Sequence, residues 1–318
     1  MSNKKIIAMS DVETKEILWL WYPYIPYGKV TIIQGDPGEG KTTLSLAIAA
    51  FLTRGLPMPE SNVLVEPQTV IYQTAEDGLG DTVRPRLEAV GADLTKVKVI
   101  NEGEIPLTLA DKRIYRYICE TKAKLMIIDP LQAYLGAGID IHRANEVRPI
   151  FKALAEDAES TGCAIVIIGH MNKAIGSKEM YRGLGSIDIG AAVRSILLVG
   201  RDKENPNTRV MIPIKSNLTP EGAPIAFELG ENGFRWIGKY EIDVNDILNG
   251  TSSERDTVKL NLAVSLLIDM LKKEEVPVTE VYARLEKHGI GKRTVERAKK
   301  IAGVRSKQKG CHWVMTLA

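Results

Sequence analysis

Short apolar runs alternate with longer amphipathic ones along most of this chain. The runs at 30–33, 69–72, 125–128 and 164–168 are rich in Val and Ile and nearly free of polar residues. Strands of that kind are covered on both faces. Between them, 42–54, 81–90 and 146–160 read as helices. In the first, Leu44, Leu46, Ala47, Ala50 and Phe51 form an apolar side. Strand–helix alternation predicts an α/β fold built on a mainly parallel sheet with helices on both faces. Apolar runs at 195–199, 209–213 and 226–229 then follow one another with few helices between, which predicts antiparallel pairing at that edge.

The chain opens differently. Two prolines and a glycine within Trp19-Leu20-Trp21-Tyr22-Pro23-Tyr24-Ile25-Pro26-Tyr27-Gly28 disfavour regular structure there. Its aromatics suit either stacking on a base or packing against the domain that follows. Near the other end, 249–255 is a small, polar connector, and the predicted domains are 1–250 and 251–318. The second domain reads as helices at 256–273, 278–288 and 292–302. The third is predicted to turn Val295, Ala298 and Ile301 inward and Lys292, Arg293, Arg297 and Lys300 outward. Strands at 304–306 and 312–317 then flank Lys307-Gln308-Lys309-Gly310, a hairpin with a basic tip.

Composition narrows the class. With 318 residues, 44% hydrophobic and 26% charged, the chain is an ordinary globular protein rather than a disordered or fibrous one. No apolar run approaches the roughly 20 residues of a membrane helix, so no membrane partner is expected. Met1-Ser2-Asn3-Lys4-Lys5 is basic but lacks a following cleavage site, so no signal peptide is expected. Cys119, Cys163 and Cys311 are far apart and lack metal-ligand spacing, which fits reduced thiols in a cytoplasmic protein. The net charge of +2 hides an asymmetry: residues 251–318 hold 14 Lys and Arg against 8 Asp and Glu, a net +6. A basic module of this kind suits a polyanion.

The chemistry centres on Gly35-Asp36-Pro37-Gly38-Glu39-Gly40-Lys41-Thr42-Thr43, between a predicted strand and a predicted helix. Glycines let such a loop curl until its backbone N–H groups face an anion, and the helix N-terminus adds positive potential. This is the pattern of a P-loop for ATP and Mg²⁺. Lys41 is expected to reach the β- and γ-phosphates, and Thr42 to ligate the metal. A carboxylate at the end of a second buried strand is needed to orient the metal and its waters, and Asp129 supplies it. Hydrolysis needs a base for the attacking water, and Glu76 and Asp77 both stand at a strand end suited to it. His170 ends another strand, where ligands gather in an open α/β sheet, and is a candidate sensor of the γ-phosphate.

The order of these pieces, a glycine-rich P-loop, then Ala75-Glu76-Asp77, Ile127-Ile128-Asp129-Pro130 and Gly169-His170-Met171-Asn172-Lys173, resembles the RecA-like ring ATPases. Within them it is similar to the plasmid replicative helicases of the RepA type, over residues 15–230. The resemblance implies a RecA-like core that assembles as a ring, usually a hexamer, with ATP at subunit interfaces. It implies Glu76 as catalytic glutamate, Asp129 as Walker B aspartate and His170 as the residue coupling phosphate to DNA-binding loops. It also implies a cation reaching into the neighbouring subunit's site. Lys215, in Pro213-Ile214-Lys215-Ser216-Asn217, fits that role, although Asn217 stands where relatives carry arginine; Arg194 and Arg201 are rivals.

Two glycine-bearing loops suit the channel of such a ring: 135–148, and 173–190 with Lys173, Lys178 and Arg182. The C-terminal pattern resembles a winged helix, whose third helix enters the major groove and whose hairpin touches the DNA backbone. From Lys292 to Lys309 there are eight Lys and Arg and one acid, and Lys292, Arg293, Arg297, Lys300, Lys307 and Lys309 are the candidate contacts. The expected function is an ATP-driven DNA motor, a replicative helicase of a plasmid, phage or mobile element, with a primase or initiator as candidate partner. A recombination, repair or DNA-loading ATPase and an ATP-sensing DNA-binding regulator are the alternatives.

Overall fold

A computed structural model describes residues 6–141, 143–170, 187–203, 205–230, 233–242, 247, 254–272, 275–309 and 312–317. The chain divides into two compact units, Met1–Leu248 and Asn249–Ala318.

The first unit begins with a small hairpin, β1 (Trp19–Trp21) against β2 (Ile25–Pro26). Regular structure forms there despite the prolines, because Trp21, Tyr24 and Ile25 are buried and the Trp21 Nε1–H donates to the Pro59 carbonyl at 2.9 Å. The packing role of these aromatics therefore holds; Tyr22 alone of Trp21, Tyr22 and Tyr24 stays exposed. Strand β3 (Val30–Gly35) enters helix α1 (Lys41–Arg54), then β4 (Val70–Thr74), α2 (Arg84–Ala89), β5 (Val97–Lys98) and α3 (Lys112–Thr121). Next come β6 (Leu125–Asp129), α4 (Ala144–Thr161), β7 (Ala164–His170), α5 (Ile187–Ala192), β8 (Ser195–Arg201), β9 (Thr208–Ser216), β10 (Ile225–Gly230) and β11 (Gly233–Lys239). Helix α4 starts at Ala144, so Arg148 is helical and the loop expected over 135–148 is shorter.

Nine strands form one sheet in the order β11-β10-β9-β8-β3-β7-β6-β4-β5. From β8 to β5 all pairs are parallel, and from β8 outward to β11 all are antiparallel. Strand β11 alternates exposed and half-buried positions, a half-covered edge that no continuous apolar run signals. Pro213 is tolerated inside β9 because the ladder with β8 slips between Ile196 and Leu197. Adjacent strand residues feed opposite cores. Ile32, Met126, Ile128, Ile165 and Ile167 pack with the residues of α3 and α4, while Ile33, Ile127, Val166 and Ile168 pack with those of α1 and the N-terminal hairpin.

The second unit has helices α6 (Glu254–Leu271), α7 (Val278–Glu286) and α8 (Lys292–Ile301), with a three-stranded sheet β12 (Val276–Pro277), β14 (His312–Leu317) and β13 (Val304–Lys309), in the order β12-β14-β13. Ala263, Leu267, Val281, Leu285, Val295, Ala298 and Met315 form its core. Two expectations fail here. Ile301 is 63% exposed, since α8 ends at that residue and its last turn passes beyond the core. Lys307 and Lys309 are strand residues rather than tip residues, because β13 pairs as far as Lys309 with His312.

Candidate active site

Strand β3 is buried along its whole length and delivers the chain at Gly35 to the carboxyl edge of the sheet. A β-carbon on Gly35 would lie 2.1 Å from the Val199 carbonyl oxygen, so only glycine lets the loop leave so close to β8. Gly40 closes the loop at φ +85° in the left-handed region, and α1 starts behind it with no side-chain cap. Its first N–H groups therefore remain available to an anion. Lys41 is buried, its ammonium donating to the carbonyls of Gly35 (2.9 Å) and Asp36 (2.8 Å). Burial lowers its pKa, and the carboxylates of Asp129, Asp36, Glu39 and Glu76 act against that. A phosphate beside the ammonium would remove the same penalty. Thr43 lies in the first turn of α1, partly exposed.

Asp129 ends β6, 5% exposed. Its Oδ2 accepts from the Thr42 hydroxyl at 2.7 Å and from the Tyr72 hydroxyl at 3.1 Å. Burial raises the Asp129 pKa, and the hydrogen bonds from Thr42 and Tyr72 act against that. A buried carboxylate and a hydroxyl at hydrogen-bond distance are hard oxygen donors, and Mg²⁺ characteristically takes one or two such protein ligands, filling its octahedron with phosphates and water. The pair fits that metal.

Glu76 and Asp77 follow β4 in a turn whose N–H groups both approach the Thr74 hydroxyl at 3.4 Å. The two acids then part. Asp77 is held by the Arg86 guanidinium at 2.6 Å, whereas the Glu76 side chain is 62% exposed with Oε2 3.9 Å from His170 Nε2. Glu76 is thus the carboxylate left to face the site. His170 is level with Gly35 across the β3–β7 ladder. Its Nδ1 is buried with no hydrogen-bond partner among the described residues.

Glu39 points toward the antiparallel side of the sheet, where Arg201 stands 3.7 Å and Arg209 3.6 Å from its Oε2. Arg201 thereby faces its own chain's P-loop, a position in cis. Lys215 is different. It lies opposite Ile196, which is level with Ile32, so it sits toward the amino ends of the parallel strands, away from Lys41. Its ammonium donates to the carbonyls of Gly190 (2.5 Å) and Val193 (2.8 Å), and burial, then Arg194, lowers its pKa. Arg194 lines a cleft of about 810 Å³ with Lys15, Tyr27, Lys29, Lys124 and Glu159. Lys173, Lys178 and Arg182 lie outside the described residues, as do the side chains of Lys292, Arg293 and Arg297, although α8 carries all three of the latter. Lys300 is exposed, and Lys307 and Lys309 both pair with Glu275, Lys309 at 3.1 Å.

A family profile described as an AAA domain matches residues 5–176, just over half of the chain. The chain belongs to this AAA-domain family. It is accordingly an ATP-binding P-loop ATPase of the RecA-like kind. Curated relatives of this AAA-domain ATPase include the DNA repair protein RadA of Halalkalibacterium halodurans, 23% identical over 265 residues, covering 82% of this chain and 52% of that protein. RadA of Mycolicibacterium smegmatis is 25% identical over 46% of the chain and 29% of its own length. The chain thus spans at most about half the length of the curated relatives it matches. A KaiC-like protein from Pyrococcus horikoshii has a solved structure similar at TM-score 0.46 and 18% identity, covering 67% of this chain and 91% of that one. No helix among the described residues of the AAA-domain ATPase is long and apolar enough to cross a membrane.

Sequence reasoning missed Tyr72, Arg86 and Arg209. Tyr72 sits in an apolar strand and reads as core. The two arginines declare themselves only through the acids that folding brings to them.

Proposed function

We propose that this chain is an ATP-hydrolysing, ring-forming DNA motor, with DNA strand separation as its work. The observation that carries the hydrolytic part is convergence. Lys41, Asp129, Glu76 and His170 stand at the carboxyl ends of the adjacent strands β3, β6, β4 and β7. In this reading the P-loop amides and Lys41 hold the β- and γ-phosphates, and Thr42 with Asp129 holds Mg²⁺. When bound, the metal neutralises charge on the phosphate oxygens. Glu76 accepts the proton of the attacking water as its oxygen bonds to the γ-phosphorus and the β–γ bridging bond breaks, giving ADP and phosphate. His170, with Nε2 3.9 Å from Glu76 Oε2, stands beside the base and ends the strand that precedes the segment 173–190 assigned to DNA.

A trans-acting cation completes such a site at a subunit interface, and Lys215 remains the proposed residue, its distance from its own P-loop being compatible with a neighbour's site. The net +6 of residues 251–318 supports duplex binding by a winged helix, with single-stranded DNA in the ring channel. ATPase assays with and without single-stranded DNA, together with mass photometry, test the proposal. A hexamer whose turnover rises with DNA is expected; a monomer indifferent to DNA overturns it. One observation favours a second reading, a recombination or repair ATPase without unwinding activity: the matching relatives are named as DNA repair proteins. Strand displacement separates the two.

A further inference from the structure

We propose that Tyr72 is a positioning residue of the metal site: its hydroxyl fixes the Asp129 carboxylate so that Asp129 serves Mg²⁺ while Thr42 is turned toward the metal. This rests on reading Asp129 and Thr42 as the metal's protein partners. The geometry leads there in three steps. Two donors, Thr42 Oγ1 at 2.7 Å and Tyr72 Oη at 3.1 Å, converge on the same oxygen, Asp129 Oδ2. The carboxylate plane is therefore set from two directions, and Oδ1 is committed to neither. A terminal carboxylate torsion is broad and roughly two-fold when left to itself, so one donor alone does not fix it. Thr42 is the less independent of the two, since a metal taking a lone pair of its oxygen also sets the direction of its O–H. Tyr72 has no such second task. It is fully buried in the middle of β4, and its ring is held by the core of α1 and the N-terminal hairpin.

The arrangement also joins two functions on one strand. Tyr72 stands four residues before Glu76, and β4 pairs with β6 from Val70–Leu125 to Thr74–Asp129. The strand that presents the base thus also grips the metal's carboxylate, and a displacement of β4 relative to β6 moves both. A phenol that merely needed an acceptor would leave the metal indifferent to its loss. Groups that orient a metal's ligands instead cost about 10–100-fold in metal affinity when removed.

The test is Tyr72→Phe, which keeps the ring and removes only the hydroxyl. Binding of a fluorescent, non-hydrolysable ATP analogue is measured without metal and then across a Mg²⁺ titration, with Asp129→Asn alongside. The expected result for Tyr72→Phe is metal-free affinity within about two-fold of the parent and a Mg²⁺ half-saturation raised by about ten-fold. If Asp129→Asn shifts the Mg²⁺ titration and Tyr72→Phe does not, the inference fails and the metal site stands. If neither shifts, the metal-site reading fails and takes the inference with it. If Tyr72→Phe lowers the melting temperature and weakens metal-free binding together, the hydroxyl is structural and the inference is overturned.

Discussion

At the scale of single residues, the division between Glu76 and Asp77 is made by a third side chain. Arg86 holds Asp77 at 2.6 Å and leaves Glu76 beside His170. Glu76→Gln is therefore expected to keep nucleotide binding and to lower single-turnover hydrolysis by about 10²–10⁴-fold, whereas Asp77→Asn should change the rate far less. The local chemistry of the P-loop was legible in the sequence because glycines, lysine and threonine act through backbone they themselves shape. Tyr72 and Arg209 were not, since their partners lie 57 and 170 positions away in the chain and only the fold introduces them. Cys163 gives a pH-dependent test. Burial pushes its thiol up to about 12 from an ordinary 9.0, so the folded state holds the proton more tightly. Stability from this group is complete below pH 9 and is lost as the pH climbs from 9 toward 12. Denaturant midpoints should fall more steeply over that range for the parent than for Cys163→Ala.

At the scale of elements, the parallel strands announced themselves by continuous apolar runs, and their order around β3 brings the site residues together. The antiparallel edge was only partly legible. Strand β11 half-buries one face, so its residues alternate and no run marks it. Yet this edge supports the P-loop. Phe227 on β10 stacks on Phe234 at 5.2 Å between ring centroids, and Leu229 and Phe227 flank Gly40 closely enough that a β-carbon there would meet both. Phe227→Ala is expected to cost about 3–5 kcal/mol in chemical denaturation, read by tryptophan fluorescence. Its effect should also appear as weaker nucleotide binding, because the wall behind Gly40 recedes. The N-terminal hairpin escaped the sequence for a related reason: burial of Trp21 and Ile25 outweighs the local preference that Pro23 and Pro26 express.

For the molecule as a whole, the basic C-terminal unit was legible as charge but not as a set of unpartnered charges. Lys307 and Lys309 lie along β13 with Glu275 between them, and both ammonium groups lower that carboxylate's pKa. These two lysines therefore carry their counterion as part of the protein. Affinity for DNA normally grows from small ions released when lysines meet phosphates, and its slope against salt counts those lysines. Here Glu275 already offsets one of the two lysine charges, so the pair would neutralise fewer phosphates and release fewer of the ions condensed on DNA. Under the proposed function, the salt dependence of DNA binding is expected to be shallower than the basic residues suggest, and Glu275→Gln should tighten binding and steepen the logarithmic slope by up to about one. Fluorescence anisotropy across a salt series measures it; a slope unchanged by Glu275→Gln would show that β13 does not touch DNA. If the proposed DNA complex forms, a carboxylate built into the protein would set how many of its basic residues the surrounding salt can count.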